Sequence, residues 1–461
     1  GRTDTGALLG NEGHLAQLTA LALVVVVAVS IVMPVAGVRG LLVVVGAVFA
    51  AALVSNRNLT ALVALTCGVG IALVLARGRK ALVSIGLVVL VLGATVVVVA
   101  PLRGRVVQAV QAASQGDWDA VTTYRLGPWA AALEMVRERP LTGFGPGTFG
   151  AEFTAHRLDA ELRHERRFTI PVLTSSFGEA HSEYLQAVAE AGMPAALAVV
   201  VALGALLAGL VRLTLDPHET RRDEAVVLVA FLGAGAVASL MWFPLQRPIT
   251  ALPLVLAAGR GWALLRPRVA AEAGRVAVNG GRRVLAILTV LVLGAALVPE
   301  LSRYAAERRL ADATQAIAAV AAGGRVVPAE APTLDRLGAV ARATADANPS
   351  DTRGLIAAGT AALVAGKPGA AQTWYRAALA RGERPEIDLN LARAFALDGR
   401  REQAEAALLR AAWLSPVLLG TLPSADQSRI GTAVADWADR LARGALTAPP
   451  PLPAETPPTA E

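Results

Sequence analysis

Cysteine is nearly missing: Cys67 stands alone in 461 residues, which excludes a disulfide framework and a cysteine-built metal site. Aromatic residues make up only 4% of the chain and charged residues 17%, against 54% hydrophobic. Alanine, valine and leucine therefore carry the apolar content, as they do in lipid-facing helices. Length alone would allow about two or three soluble domains, but a mean hydropathy of +0.52 leaves too few charges to solvate them. The chain reads as an all-α, polytopic transmembrane protein.

The net charge is +7, from 43 Lys+Arg against 36 Asp+Glu. Much of the excess lies between hydrophobic runs, where it orients helices, so no nucleic-acid partner is expected. No signal peptide precedes the first run, and the first residue is Gly1 rather than Met. We therefore expect the sequence to be incomplete at its N-terminus.

Eight runs are long and uncharged enough to cross about 30 Å of hydrocarbon: 15–37, 40–55, 59–76, 81–101, 184–211, 225–243, 248–265 and 284–299. The fifth carries Glu190 and the seventh Arg260, both near span ends where a long side chain reaches water. Arg77, Arg79 and Lys80, then Arg212, Arg221 and Arg222, then Arg266, Arg268, Arg275, Arg282 and Arg283 fill alternate connections. The positive-inside rule places these in the cytoplasm. Residues 1–14, the turn 55–58, the loop 102–183 and everything after 299 are then external. The loop is arginine-rich too, but long segments cross regardless of charge. Trp118, Tyr124, Trp129 and a helical stretch near 125–138 mark it as a folded external cap.

Residues 1–299 thus form a multi-span membrane domain with an external loop at 102–183. Residues 300–442 change character to alanine-rich amphipathic helix. Residues 355–379 match 389–413 at a 34-residue offset, with Leu355 on Leu389, Ala358 on Ala392 and Tyr375-Arg-Ala-Ala on Leu409-Arg-Ala-Ala. The turns at Gly366 and Gly399 fall one residue out of register. This period resembles tetratricopeptide repeats, which stack as helical hairpins; an unrelated helical bundle is the alternative. Residues 443–461 are a proline-rich, disordered tail.

Polar residues at the external ends of spans are where chemistry could gather. Arg57 lies in the short turn Ser55-Asn-Arg-Asn58, Arg125 in Thr123-Tyr-Arg-Leu-Gly-Pro-Trp129, and His181 in Glu179-Ala-His-Ser-Glu-Tyr184. Two guanidinium groups at a membrane surface suit a pyrophosphate, because each offers forked donors and stays charged. A histidine beside them can exchange a proton near neutrality. His14, His156, His164 and His218 form no ligand spacing with His181, so no metal site is expected. The plainer roles are interfacial anchor for the arginines and helix cap for the histidine. On the residues alone, an external-face membrane enzyme and a transporter both stand. Gly143-Phe-Gly-Pro-Gly-Thr-Phe149 has no preceding strand, so its glycines read as tight turns or close backbone approach, not as a dinucleotide loop.

His181-Ser182, nine residues and then Gly192 resemble the signature of the O-antigen ligase family. Arg125…Trp129…Arg139-Pro-Leu-Thr-Gly-Phe-Gly-Pro-Gly-Thr-Phe149 is similar to the family's external-loop pattern, and Ser55-Asn-Arg57 to its arginine-bearing segment. Arg2…Gly6…Gly10-Asn11…Leu15-Ala16 resembles the entry to an earlier span. Two positions depart from the pattern: Ala195, and Asn58 after the arginine. The resemblance covers roughly residues 1–265.

The resemblance implies a glycosyltransferase of the GT-C class in the cytoplasmic membrane, moving a glycan from undecaprenyl pyrophosphate to an acceptor hydroxyl on the external face. It assigns Arg57 and Arg125 to the donor pyrophosphate and His181 to activation of the acceptor. Glu183 and Tyr184 are candidate substrate-binding residues beside His181, with Glu183 or Glu179 also a candidate to orient the imidazole. The reaction it implies is inverting, needs no metal, and uses no cofactor. The expected partners are a polyprenyl-pyrophosphate-linked glycan, a lipid, cell-wall or protein acceptor, the membrane, and a protein held by the helical repeats. A polysaccharide polymerase and a protein O-oligosaccharyltransferase are alternatives of the same superfamily. From another class, a transporter or scaffold would use the arginines only to attract lipid phosphates.

Overall fold

A computed structural model describes residues 12–33, 36–56, 58–168, 177–266, 275–322, 331–347 and 351–453. Arg57, the segment Arg2–Asn11 and the end of the tail, 454–461, lie outside the described residues. Among the described residues the chain is all helical. In order the helices are α1 (Glu12–Val32), α2 (Ala36–Asn56), α3 (Leu59–Arg77), α4 (Ala81–Val98), α5 (Ala100–Ser114), α6 (Trp118–Val121), α7 (Leu126–Glu138), α8 (Phe149–Arg163) and α9 (Glu183–Leu215). There follow α10 (Arg222–Ala238), α11 (Pro248–Leu265), α12 (Arg275–Ala322), α13 (Ala331–Ala347), α14 (Arg353–Val364), α15 (Pro368–Leu379), α16 (Pro385–Leu397), α17 (Arg401–Leu414) and α18 (Ser424–Ala442).

Five described helices are long and apolar enough to span a bilayer: Gly13–Val32, Leu59–Arg77, Ala81–Val98, Glu183–Leu215 and Pro248–Leu265. The stretch Gly40–Asn56 of α2 is a shorter apolar helix, and α10 has 17 residues. The expected span 284–299 lies inside α12, a continuous helix of 48 residues. This is a multi-pass helical membrane protein, as the composition requires.

The chain divides into two units. The first holds residues 1–125, 136–144 and 179–268. Its core is made where α1, α3 and α10 meet: Ala16, Ala20 and Val24 face Leu62, Leu65 and Val69, with Val226, Ala230 and Ala234 closing the triangle. Small residues let the backbones approach. A Cβ on Gly68 would stand 2.7 Å from Val24 and 2.9 Å from Ala234. Asn58, one of the departures from the family pattern, caps α3 by accepting the Ala61 N–H at 3.0 Å. α4 presents Leu82, Val83, Leu90 and Val98 outward, the apolar surface that lipid covers.

Arginines tie the C-terminal ends of three helices. Arg222 donates to the carbonyls of Thr214 (3.1 Å), Leu75 (2.9 Å) and Ala76 (3.3 Å), at the ends of α9 and α3. Arg221 donates to the Leu264 carbonyl of α11 at 2.6 Å. The last carbonyls of a helix have no partner within it, and a cation there meets the negative end of the dipole.

The second unit holds residues 126–135, 145–178 and 269–461. Helices α14 with α15 and α16 with α17 pair as successive hairpins. Gly366 and Gly399, at φ +71° and +76°, end the first helix of each. Ala371, Tyr375 and Ala378 pack against Ile387, Leu391 and Phe395. Helix α8 joins this core rather than standing apart: Leu158 packs with Trp413, Leu414, Ile430 and Val434. Its Thr154 hydroxyl donates to the Glu383 carbonyl at 2.6 Å, and Arg157, 2% exposed, donates to the Leu414 carbonyl at 3.2 Å. Arg167 stacks on Trp413 at 4.2 Å and donates to its carbonyl. Arg410 grips Glu383 through two bonds of 2.6 and 2.8 Å.

Two outcomes check this packing. Arg222→Leu frees the three carbonyls and is expected to cost about 2–3 kcal/mol, read as a lower Tm of the purified chain. Trp413→Ala is expected to cost about 3–5 kcal/mol in the second unit and to open residues 145–168 to limited proteolysis.

Candidate functional site

The site is built in the first unit from three pieces of chain: the residues after α6, the start of α9 with the residues before it, and the connection between α10 and α11. Asp117 caps the short α6 by accepting the Ala120 N–H at 3.0 Å. Thr123 and Tyr124 then both take left-handed backbone, φ +57° and +62°, and the chain turns so that Arg125 follows. Burial lowers the Arg125 pKa, from a value so high that the guanidinium keeps its charge.

His181 is also left-handed, φ +55°, a strained conformation for a side-chain-bearing residue that its surroundings must enforce. Gln186, buried, accepts the Ala180 N–H at 2.9 Å and donates to Glu190 at 3.0 Å. The Glu183 N–H donates to the Ser239 carbonyl at 2.9 Å. These bonds fix the chain on both sides of the histidine. The imidazole pKa is lowered to about 4, first by burial and then by the Arg125 guanidinium. The structure therefore brings His181 and Arg125 within electrostatic reach and holds the imidazole neutral at pH 7.

The other sequence candidates have specific partners. Glu183 accepts the Leu245 N–H at 2.6 Å, and the Tyr184 hydroxyl donates to the Ala236 carbonyl at 2.9 Å. Glu179 pairs with Arg247; burial raises its carboxyl pKa and Arg247 opposes that rise. Arg57 lies outside the described residues.

Three contributors were not singled out from sequence. Trp242 and Phe243 stack at 4.7 Å between ring centres, 12° apart. His181 meets this pair at 5.8 and 5.2 Å, and His14 of α1 meets it edge-on at 5.5 Å to each ring. Arg247 lies over Phe243 at 5.1 Å, a second cation beside the site. The signal in the sequence was an aromatic pair and an arginine in an otherwise short connection, Trp242-Phe-Pro-Leu-Gln-Arg247. Among the described residues, no three His, Cys, Asp or Glu side chains gather as metal ligands.

The nine residues from Ser182 to Gly192 also have a structural reason. Helix α9 breaks at Gly192, φ +81° and ψ 162°, a conformation essentially reserved for glycine. The break receives the segment after α7: Met193 N–H donates to Pro140 O at 2.8 Å, and Phe144 N–H donates to Ala189 O at 3.1 Å. A Cβ on Gly192 would overlap the Leu141 carbonyl, and one on Gly143 would overlap the Glu190 carbonyl. The close backbone approach expected of Gly143 is thus observed. Gly192→Ala is expected to cost about 2–4 kcal/mol, seen as loss of folded protein, whereas Gly86→Ala, with open space around it, should leave the yield unchanged.

Residues 24–200 match the family model described as O-antigen ligase. No curated protein and no solved structure matches the chain.

Proposed function

We propose that this chain, whose residues 24–200 belong to the O-antigen ligase family, transfers a glycan from undecaprenyl pyrophosphate to an acceptor hydroxyl on the external face of the cytoplasmic membrane. The observation that carries the reading is a buried, neutral imidazole within electrostatic reach of a guanidinium, just before α9. Neutral His181 accepts the proton of the acceptor hydroxyl as its oxygen attacks the anomeric carbon. The bond from that carbon to the pyrophosphate oxygen breaks, and the charge that develops there is met by Arg125, with Arg57 as its partner by family resemblance. Attack opposite the leaving group inverts the anomeric centre. No step needs a metal or a cofactor.

Glu183 and Tyr184 act in this reading by holding the start of α9, through Leu245 and Ala236, so that substrate meets a fixed His181. The hairpins of the second unit are the proposed contact for a protein partner.

The test is the carrier-linked glycan in cells whose sole copy of the full-length protein carries His181→Ala. Long polymers stalled on polyprenyl pyrophosphate, with the mature conjugate at least a hundredfold reduced, is the outcome expected of a ligase. Single repeat units stalled there would assign a polymerase instead, and loss of glycan from a protein acceptor alone would assign a protein O-oligosaccharyltransferase. An unchanged profile at normal protein level would overturn the enzymatic role and favour a transporter or scaffold.

A further inference from the structure

α1 carries a polar residue that its own surroundings leave unanswered. Gln17 is fully buried, and neither its amide oxygen nor its amide nitrogen has a hydrogen-bond partner among the described residues. Thr19, two residues on, shows how a membrane helix ordinarily settles such a group: its hydroxyl donates back to the Leu15 carbonyl at 2.6 Å. Gln17 makes no such bond. One turn before it stands His14, 9% exposed, with a buried Nδ1 that is also unbonded. Residues three apart share a helix face, so two buried side chains with unbonded polar atoms lie side by side on α1. A buried amide that serves only the fold is normally satisfied, which points to a group that arrives from outside.

Their place in the fold says where that group belongs. The His14 ring rests edge-on against Trp242 and Phe243, the same stacked pair that His181 meets. His14 and His181 thus flank one aromatic pair. The chemistry of the two side chains says what the group is. An amide offers one acceptor oxygen and a donor nitrogen, and a neutral imidazole offers one of each; neither brings a formal charge. A phosphate would call for a free cation, and the nearby Arg247, over Phe243, is already paired with Glu179. A hydroxyl, which donates and accepts at once, matches an uncharged donor–acceptor set.

We infer that His14 and Gln17 form an uncharged subsite that binds a substrate hydroxyl next to the proposed transfer site. The inference rests on the transfer reading above and adds a specificity element to it. The hydroxyl belongs either to the carrier-linked glycan or to the acceptor, and kinetics separate the two.

The experiment uses membranes holding the full-length chain, with carrier-linked glycan and acceptor both extracted from the same cells and each titrated in turn. Gln17→Leu keeps the volume and removes the unbonded amide; His14→Phe keeps the ring against Trp242 and removes the nitrogens. The expected result is a KM raised tenfold or more for one substrate, with the Tm of the purified variant unchanged or higher. A raised KM for the glycan assigns the hydroxyl to the donor, and a raised KM for the acceptor assigns it there. KM values within threefold of the parent for both substrates, or a lowered Tm accompanying the loss, would overturn the subsite, because a structural residue loses stability and activity together. His181→Ala, run alongside, is expected to abolish kcat. Retained turnover in that variant would sink the transfer reading, whatever the subsite variants show.

Discussion

The backbone contact at Gly192 is the constraint on which the membrane unit depends. In a hydrocarbon environment a helix can break only where its freed N–H and carbonyl groups find partners. α9 breaks at Gly192, and the segment Arg139–Phe144 supplies those partners through Met193 and Phe144. Two glycines, one on each strand of this contact, bring the backbones closer than any side chain would permit. The short helical piece from Glu183 to Ala191 is thereby locked in direction, and with it the residues immediately before α9. The same lock places Gln186 to hold the Ala180 N–H and Glu183 to hold Leu245.

From that lock follows the electrostatics. His181 is carried into a desolvated position against Trp242 and Phe243, where burial and Arg125 both disfavour its charged form. A neutral imidazole in a dry site is ready to accept a proton without first losing one, and a guanidinium there acts on developing negative charge more strongly than it would in water. The strain at His181, like that at Thr123 and Tyr124 just before Arg125, sits in the backbone that carries the two groups. The remainder of the unit serves this arrangement: α1, α3 and α10 form the close-packed wall, and Arg221 and Arg222 secure the carbonyl ends of α3, α9 and α11.

Much of the fold was legible because lipid imposes a simple rule on sequence: long uncharged runs become helices, and charge marks their ends. The turn glycines 366 and 399 were legible for a similar reason, since a left-handed helix end wants glycine. At the site, His181 and Arg125 could be read from sequence, with Gly192 as a spacing whose cause only the structure supplies. His14, Gln17, Trp242 and Phe243 were not legible as a group. They come from distant parts of the membrane domain, and His14 reaches Trp242 and Phe243 because α1 packs on α10, which no local period records. The helix α8 shows the converse. In a loop that the sequence marks only as arginine-rich, Arg157 and Glu161 are buried beside each other and Arg167 stacks on Trp413. Composition cannot distinguish an arginine in water from one satisfied inside a protein.

The measurement that tests this account most directly is the pH dependence of kcat/KM for glycan transfer in membranes, since it reports the ionisation of the free enzyme's base. A neutral, buried His181 predicts a level profile from neutrality down past pH 6.5, falling only as the pH approaches about 4. An acid limb centred near 6.5, the ordinary histidine value, would show a solvated imidazole and contradict the pocket on which the proposed chemistry depends.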